Sequence, residues 1–221
     1  MGAISFYIEE DLLDLLTGLL PLTAFVETGT FRGDTLAIAG KYFSELYSVE
    51  MSRELYRAAS ERFRGQSNLH LHLGDSSDFL REHGEDFSAR AVLFWLDAHW
   101  CSADDTAGSD SQSPLLNELQ AIGSLHPSSV LLIDDARLYL APPPEPHRLA
   151  DWPDFHEVVL ALLALSPKHR LMVYNDIVVF YPQHLRPELS DYAHKQGEDL
   201  LRLMRDARKH RRKSKRWWQP S

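Results

Sequence analysis

Short apolar runs alternate with longer amphipathic stretches along most of this chain. Residues 23–27, 45–50, 68–73, 91–97 and 130–134 read as buried strands, and Ala91–Asp97 is almost wholly apolar, as a central parallel strand should be. Helical stretches follow at 34–43, 53–64, 76–82 and from Pro114 to about Gly123, after an N-terminal helix at 9–20. A further helix at 154–165 leads into two apolar runs, Leu171–Tyr174 and Ile177–Tyr181. Only Asn175-Asp176 parts them, which predicts a tight antiparallel hairpin. Five strand–helix units closed by a hairpin predict an α/β fold with a mixed, mostly parallel seven-stranded sheet. Residues 23–185 read as one domain, with an N-terminal helix within 1–22 and a C-terminal helix and tail at 186–221. Two long connections stand out. Ala98–Ser113 is polar, and Pro-rich Ala141–Pro153 reads either as a substrate lid or as a structural excursion.

In an open α/β sheet, ligands bind at the carboxyl ends of the strands. Here the first strand ends in Glu27, the second in Glu50, the third in Asp75, the fourth in Asp97 and the fifth in Asp134-Asp135. Repulsion among acids facing one crevice costs stability, so something positive or rich in donors is expected to fill it. The turn after the first strand carries Gly29 and Gly33, which lets a ligand approach the backbone, and the next helix start presents free N–H groups. A dinucleotide fingerprint would need Gly-x-Gly-x-x-Gly, but Phe31 stands between these two glycines, and Glu27 would repel a diphosphate. No Gly-Lys-Ser/Thr follows, so the turn is not a Walker A loop. A cofactor with positive charge and no phosphate fits better, such as the sulfonium and ammonium of S-adenosylmethionine (SAM).

The run Glu27-Thr28-Gly29-Thr30-Phe31-Arg32-Gly33 resembles motif I of class I SAM-dependent methyltransferases, and the resemblance extends over about residues 23–181. It implies a Rossmann-like fold with helices on both faces and a last strand inserted between the fifth and sixth. It further implies that Glu27, Thr28, Gly29, Thr30 and Gly33 sit beside the methionine part of the cofactor. Glu50, 21 residues after Gly29, is placed to accept both ribose hydroxyls. Asp75 and Ser76 would contact the adenine edge, with Asp97 also at the cofactor. Ser76 reads equally well as a helix cap.

Asp97, Asp134 and Asp135 are hard oxygen donors from two adjacent strand ends, a set that suits Mg²⁺, Mn²⁺ or Ca²⁺. Phe94-Trp95-Leu96-Asp97 and Leu132-Ile133-Asp134-Asp135 resemble the strand-4 and strand-5 motifs of Mg-dependent O-methyltransferases of the catechol and macrocin types. The catechol type implies a lysine base shortly after Asp97, but 98–113 contains none. His99 is the replacement candidate for proton abstraction, alongside Asp97 as a catalytic residue, or it is a buried supporting histidine. Arg137 reads chiefly as a neutraliser of the acids. Cys101 has no basic neighbour, and there is no Gly-x-Ser-x-Gly elbow, so neither thiol nor serine chemistry is supported.

The 221 residues suffice for one large α/β domain. A single cysteine and an N-terminus without a basic region favour the cytoplasm, and no apolar stretch approaches a membrane span. The net charge of −9 divides into +8 over residues 202–216 and −17 elsewhere. The acidic body argues against a duplex nucleic-acid partner, while the basic tail reads as a solvated, partly disordered segment, as a dock on the acidic body or a second subunit of a homodimer, or as a contact with an anionic partner such as RNA or a membrane surface. The sequence therefore predicts a methyltransferase that moves a methyl group from SAM to a hydroxyl of a small acceptor with a divalent metal. Two alternatives are a metal-independent enzyme acting on a sugar or amine, and a non-catalytic SAM- or nucleoside-binding module working through its tail.

Overall fold

The computed structural model describes residues 7–99 and 111–199, together with Arg202 and Arg205. The chain divides into two compact units, Met1–Arg186 and Pro187–Ser221. The first begins with α1 (Glu10–Leu19), β1 (Ala24–Thr28), α2 (Asp34–Ala39), β2 (Glu45–Glu50), α3 (Arg53–Arg62) and β3 (Leu69–Leu73). It continues through α4 (Ser76–Glu82), α5 (Gly84–Ala89), β4 (Val92–Leu96), α6 (Leu115–Ile122), β5 (Val130–Ile133) and the single turn α7 (Arg137–Leu140). It ends with α8 (Phe155–Leu165), β6 (His169–Tyr174) and β7 (Ile177–Pro182). Helix α9 (Arg186–Gln196) leads into the second unit, where Arg202 and Arg205 are also helical. Of the C-terminal helix and tail expected at 186–221, residues 200, 201, 203, 204 and 206–221 lie outside the described residues, as does Cys101.

The seven strands form one sheet in the order β3-β2-β1-β4-β5-β7-β6, with the last strand between the fifth and sixth as the resemblance implies. The first five pair in parallel, and β7 lies antiparallel between β5 and β6. The chain leaves β3 at one edge and returns as β4 beside β1. The strand order reverses there, and a crevice opens at the carboxyl ends of β1 and β4. Every residue of β1, β4 and β5 is buried, which explains their unbroken apolar runs. Side chains alternate between two layers. Val26, Phe94, Leu131 and Ile133 share a core with Leu80, Leu119 and Leu162 of α4, α6 and α8. Phe25 meets Phe43, ring centroids 5.6 Å apart.

Local chemistry sets the helix starts. Ser52 caps α3 by accepting from the Leu55 amide at 3.4 Å. Asp154 and Glu157 form a reciprocal capping box on α8. Asp75, not Ser76, caps α4, because its Oδ1 accepts from the Ser77 and Asp78 amides at 2.8 and 3.0 Å. The expected helix at 34–43 stops at Ala39, where Gly40 follows. Helix α5 was not expected at all. Its Gly84 start offers weak propensity, and it forms because Phe87 packs edge-on against Tyr47 and Phe94, centroids 5.2 and 5.9 Å away.

Candidate active site

The glycines of the first turn do different work. Gly29 sits at φ +83°, and a Cβ there would lie 2.4 Å from the Asp97 carbonyl oxygen. The turn can therefore cross the end of β4 only without a side chain. Gly33, at φ +75°, would drive a Cβ to 2.5 Å from the Phe63 ring, so it serves the approach of the chain after α3. Between them Phe31 takes a left-handed backbone, φ +47°, and its amide donates to Glu50 Oε2 at 2.9 Å. The other Glu50 oxygen accepts from the Ser52 amide at 2.7 Å. One buried carboxylate thus ties the loop after β1 to the loop after β2.

Glu27 is 1 % exposed, and its Oε2 accepts from the Ser48 hydroxyl at 2.8 Å. Ser48 Oγ lies in turn 2.6 Å from Thr30 Oγ1. Burial raises the Glu27 pKa, the Ser48 hydrogen bond offsets part of that, and the charges of Asp97, Glu50 and Asp34 raise it further. No cation of the described chain is among these influences. A cavity of about 770 Å³ opens over this region. Glu27, Gly29, Thr30, Glu50 and Met51 line one wall, with Asp75 and Ser76 beside them. Asp97, Ala98 and His99 form the far end, and Pro114, Asn117 and Gln120 flank it from the start and body of α6. Thr28, Gly33, Asp134 and Asp135 are not on the wall.

The far end is organised around His99. Its Nδ1 stands 3.2 Å from Asp97 Oδ1 and its Nε2 2.8 Å from Asp135 Oδ2. The imidazole and the Asp135 carboxylate are buried, while the Asp97 side chain keeps 26 % of its surface open. Asp135 adopts φ +56°, and its amide donates to Asp134 Oδ1 at 2.8 Å. Arg137 pairs with Asp135 and with Asp176 at the hairpin tip, whose carboxylate also accepts the Arg137 amide at 2.8 Å. Arg137 is thus a neutraliser of this cluster, as expected. Burial pushes the His99 pKa down, but the Asp135 hydrogen bond and the charges of Asp97 and Asp135 outweigh it and leave it raised. Burial also opposes ionisation of Asp135, yet His99 and Arg137 hold that carboxyl well below the usual range. Asp97 and Asp134 are raised, chiefly by burial.

Two expectations find no support in this arrangement. Among the described residues no group of three or more His, Cys, Asp or Glu side chains is arranged to hold a metal ion. The Asp97, Asp134 and Asp135 carboxylates do not fit one as they stand, because the His99 ring separates the first from the third. His99 in turn is a poor free base, since both ring nitrogens already face carboxylates.

The loop at 141–153 closes over this end. The Trp152 ring lies 5.8 Å from His99 and 5.5 Å from Tyr139, centroid to centroid. Gln112 pins the loop: its Oε1 accepts from the Trp152 indole at 3.2 Å and the Arg148 amide at 2.6 Å. Its own amide donates to Asp151 at 3.2 Å. Sequence reasoning missed Gln112 and Glu118. Glu118 is 2 % exposed among Leu115, Leu119 and Ile122 of α6. Burial pushes its pKa up to about 7, hydrogen bonds from Ser76 and Thr28 notwithstanding, and its Oε1 has no hydrogen-bond partner. An acid within an i, i+4, i+7 apolar stripe was the available signal. Nothing in the sequence marks Gln112.

No protein-family model matches the chain, and no curated protein matches it in sequence. Solved structures do match in fold. SMU.1697c from Streptococcus mutans, in complex with SAH, is 13 % identical with a TM-score of 0.52, covering 78 % of this chain and 96 % of that one. Human methyltransferase-like protein 13, also with SAH, is 18 % identical at TM-score 0.50, covering 96 % of this chain and 90 % of its own. The sugar N-methyltransferase KedS8 from Streptoalloteichus is 14 % identical at TM-score 0.50, covering 78 % and 84 %. The fold is that of the Rossmann-like methyltransferases.

Proposed function

We propose that this protein is a SAM-dependent methyltransferase acting on a small nucleophile seated at the Asp97 end of the cavity. The observation that carries this reading is the buried, cation-free Glu27 beneath Gly29, facing a cavity whose other strand ends carry Glu50 and Asp75. A buried carboxylate without a cationic partner is costly, and the ammonium and sulfonium of SAM would supply one. Glu50 would take the ribose hydroxyls with the lone pairs its two amide bonds leave free. Asp75 and Ser76 would meet the adenine. Thr28, Thr30 and Gly33 shape the turn that receives the methionine part, and Asp97 borders both cofactor and acceptor.

In this reading the acceptor X–H attacks the methyl carbon in line with the sulfonium. The X–C bond forms as the C–S bond breaks, the sulfonium becomes the thioether of SAH, and the X–H proton passes to Asp97. Asp97 is the acid of the far cluster that reaches the cavity. His99 acts by holding Asp97 rather than by taking the proton. This favours the metal-independent alternative over assistance by Mg²⁺, Mn²⁺ or Ca²⁺, and hydrogen bonding of a sugar or amine over chelation of a catechol. The fold's breadth of chemistry leaves the acceptor to experiment. No described helix is long and apolar enough to cross a membrane. A cytoplasmic protein with no duplex nucleic-acid partner, able to form a homodimer and to meet an anionic partner through its tail, completes the proposal.

Incubation with SAM labelled in its methyl carbon and a panel of hydroxylated and amino acceptors, with and without chelator, tests the function. Label transfer indifferent to chelator supports it. Transfer lost with chelator and restored by Mg²⁺ would reinstate the metal-assisted form, and failure of SAM and SAH to bind at millimolar concentration would remove the methyltransferase reading.

A further inference from the structure

A buried acid stands behind the cavity wall with no part in methyl transfer. We infer that Glu118 of α6 is a positioning residue for cofactor binding, whose carboxyl fixes Ser76 on the adenine side of the cavity and, through Thr28, the backbone at Asp97. The inference rests on the methyltransferase reading for what fills the cavity, while the fixing of these two walls is a property of the chain alone.

Glu118 is buried with Leu115, Leu119 and Ile122 of the same helix. An acid there is costly, the more so because among the described residues its Oε1 has no hydrogen-bond partner. Of the charges acting on it, that of Asp75 opposes ionisation and that of His99 favours it, and burial is the largest influence. A leucine would suit these neighbours better, so the use of the acid lies in what its carboxyl touches. Two hydroxyls hydrogen-bond to it, those of Ser76 and Thr28. They belong to different parts of the site. Ser76 opens α4 and lines the cavity beside Asp75, whose Oδ1 accepts from the Ser77 and Asp78 amides at 2.8 and 3.0 Å. Thr28 ends β1 directly before Gly29, behind the cavity wall. The Asp97 amide donates to the Thr28 carbonyl at 3.1 Å and to Thr28 Oγ1 at 3.3 Å. One carboxyl on α6 therefore ties together the first turn of α4 and the end of β1, and the end of β1 in turn holds the backbone that presents Asp97. A leucine has no atom that could hold either hydroxyl.

Calorimetric titration of SAH into the full chain and its variants tests this, with circular dichroism on the same samples to check folding. Glu118→Leu removes the acceptor and is expected to weaken SAH binding by about five- to tenfold. Glu118→Gln keeps an acceptor oxygen and is expected to stay within about twofold of wild type. Thr28→Val removes a hydroxyl from the other side of the contact, at a residue off the cavity wall, and should also weaken binding. Added to Glu118→Leu it should cost nothing more, because both changes break the same contact. Amide hydrogen exchange on the ligand-free chain gives a readout independent of SAH. The Ser77, Asp78 and Asp97 amides should exchange faster by about tenfold in Glu118→Leu and at the wild-type rate in Glu118→Gln. If Glu118→Leu does not fold, Thr28→Val against Thr28→Ser, which restores the hydroxyl, carries the same comparison. A folded Glu118→Leu with wild-type SAH affinity and wild-type exchange would overturn the inference. An equal loss in Glu118→Gln would overturn it too, since charge and not hydrogen bonding would then be at work. A wild type that ignores SAH removes the methyltransferase reading, and the exchange comparison still decides whether Glu118 holds the two walls.

Discussion

The two ends of the cavity treat buried acids in opposite ways. At the β1–β2 end, Glu27 and Glu50 are met by neutral donors alone: the Ser48 hydroxyl and the amides of Phe31 and Ser52. At the β4–β5 end, Asp97 and Asp135 are met by His99 and Arg137. Hydrogen bonds from neutral groups orient a carboxylate without cancelling its charge, so the first end retains an attraction for a cation from solution. The second end is already balanced and keeps only one partly open oxygen donor, Asp97, toward the cavity. Acids of similar sequence context thus separate into a cation-seeking set and a self-neutralised set, and the difference lies in partners that arrive from elsewhere in the chain.

The largest expected effect breaks the meeting point of the two ends. Gly29→Ala forces a side chain at φ +83° into the Asp97 carbonyl. It should cost on the order of 3–5 kcal/mol in urea denaturation. Gly74→Ala, with nothing within 4 Å of the added Cβ, is the matched control and should stay within about 0.5 kcal/mol.

Glu118 sharpens the comparison, because it is a buried acid on which burial outweighs the nearby His99 charge. Its pKa stands near 7 in the folded chain against an ordinary 4.5, so the folded state favours the protonated form. That stability is fully present below pH 4.5 and is lost as pH rises to about 7. Glu118→Gln should therefore raise stability above pH 7 by up to about 3 kcal/mol, with the gain vanishing below the unfolded pKa. Thermal melts across that range decide it, and a gain that grows toward acid pH would contradict the assignment. A smaller effect is expected at the 141–153 loop. Gln112→Ala strands the Trp152 indole and the Arg148 amide, costing about 1–2 kcal/mol and hastening tryptic cleavage at Arg148.

The sheet was legible because its strands are short, apolar and regularly spaced. The hairpin at Asn175-Asp176 followed from the same pattern, while the place of the last strand came from the family resemblance. The acids were legible too, since strand ends can be read along the chain. Their partners were not. His99 meets Asp135 across 36 positions and Trp152 meets Gln112 across 40, and no local periodicity encodes such pairings. The metal expectation found no support for this reason: three carboxylates in sequence say nothing about which neighbour has already neutralised them. Helix α5 escaped because Phe87, through tertiary contacts, overrides the weak propensity around Gly84.

Calorimetric titration of SAH into the wild type, Glu50→Ala and Asp134→Ala tests the division of the cavity most directly. The wild type should bind. Glu50→Ala should lose about 1.5–3 kcal/mol, roughly 10- to 150-fold in affinity, because it removes the carboxylate that orders both loops and faces the ribose. Asp134→Ala should remain within a few-fold of wild type, since Asp134 lies beyond the cavity wall beside Asp135. Equal losses in the two variants, or a wild type that does not bind SAH at millimolar concentration, would contradict the account.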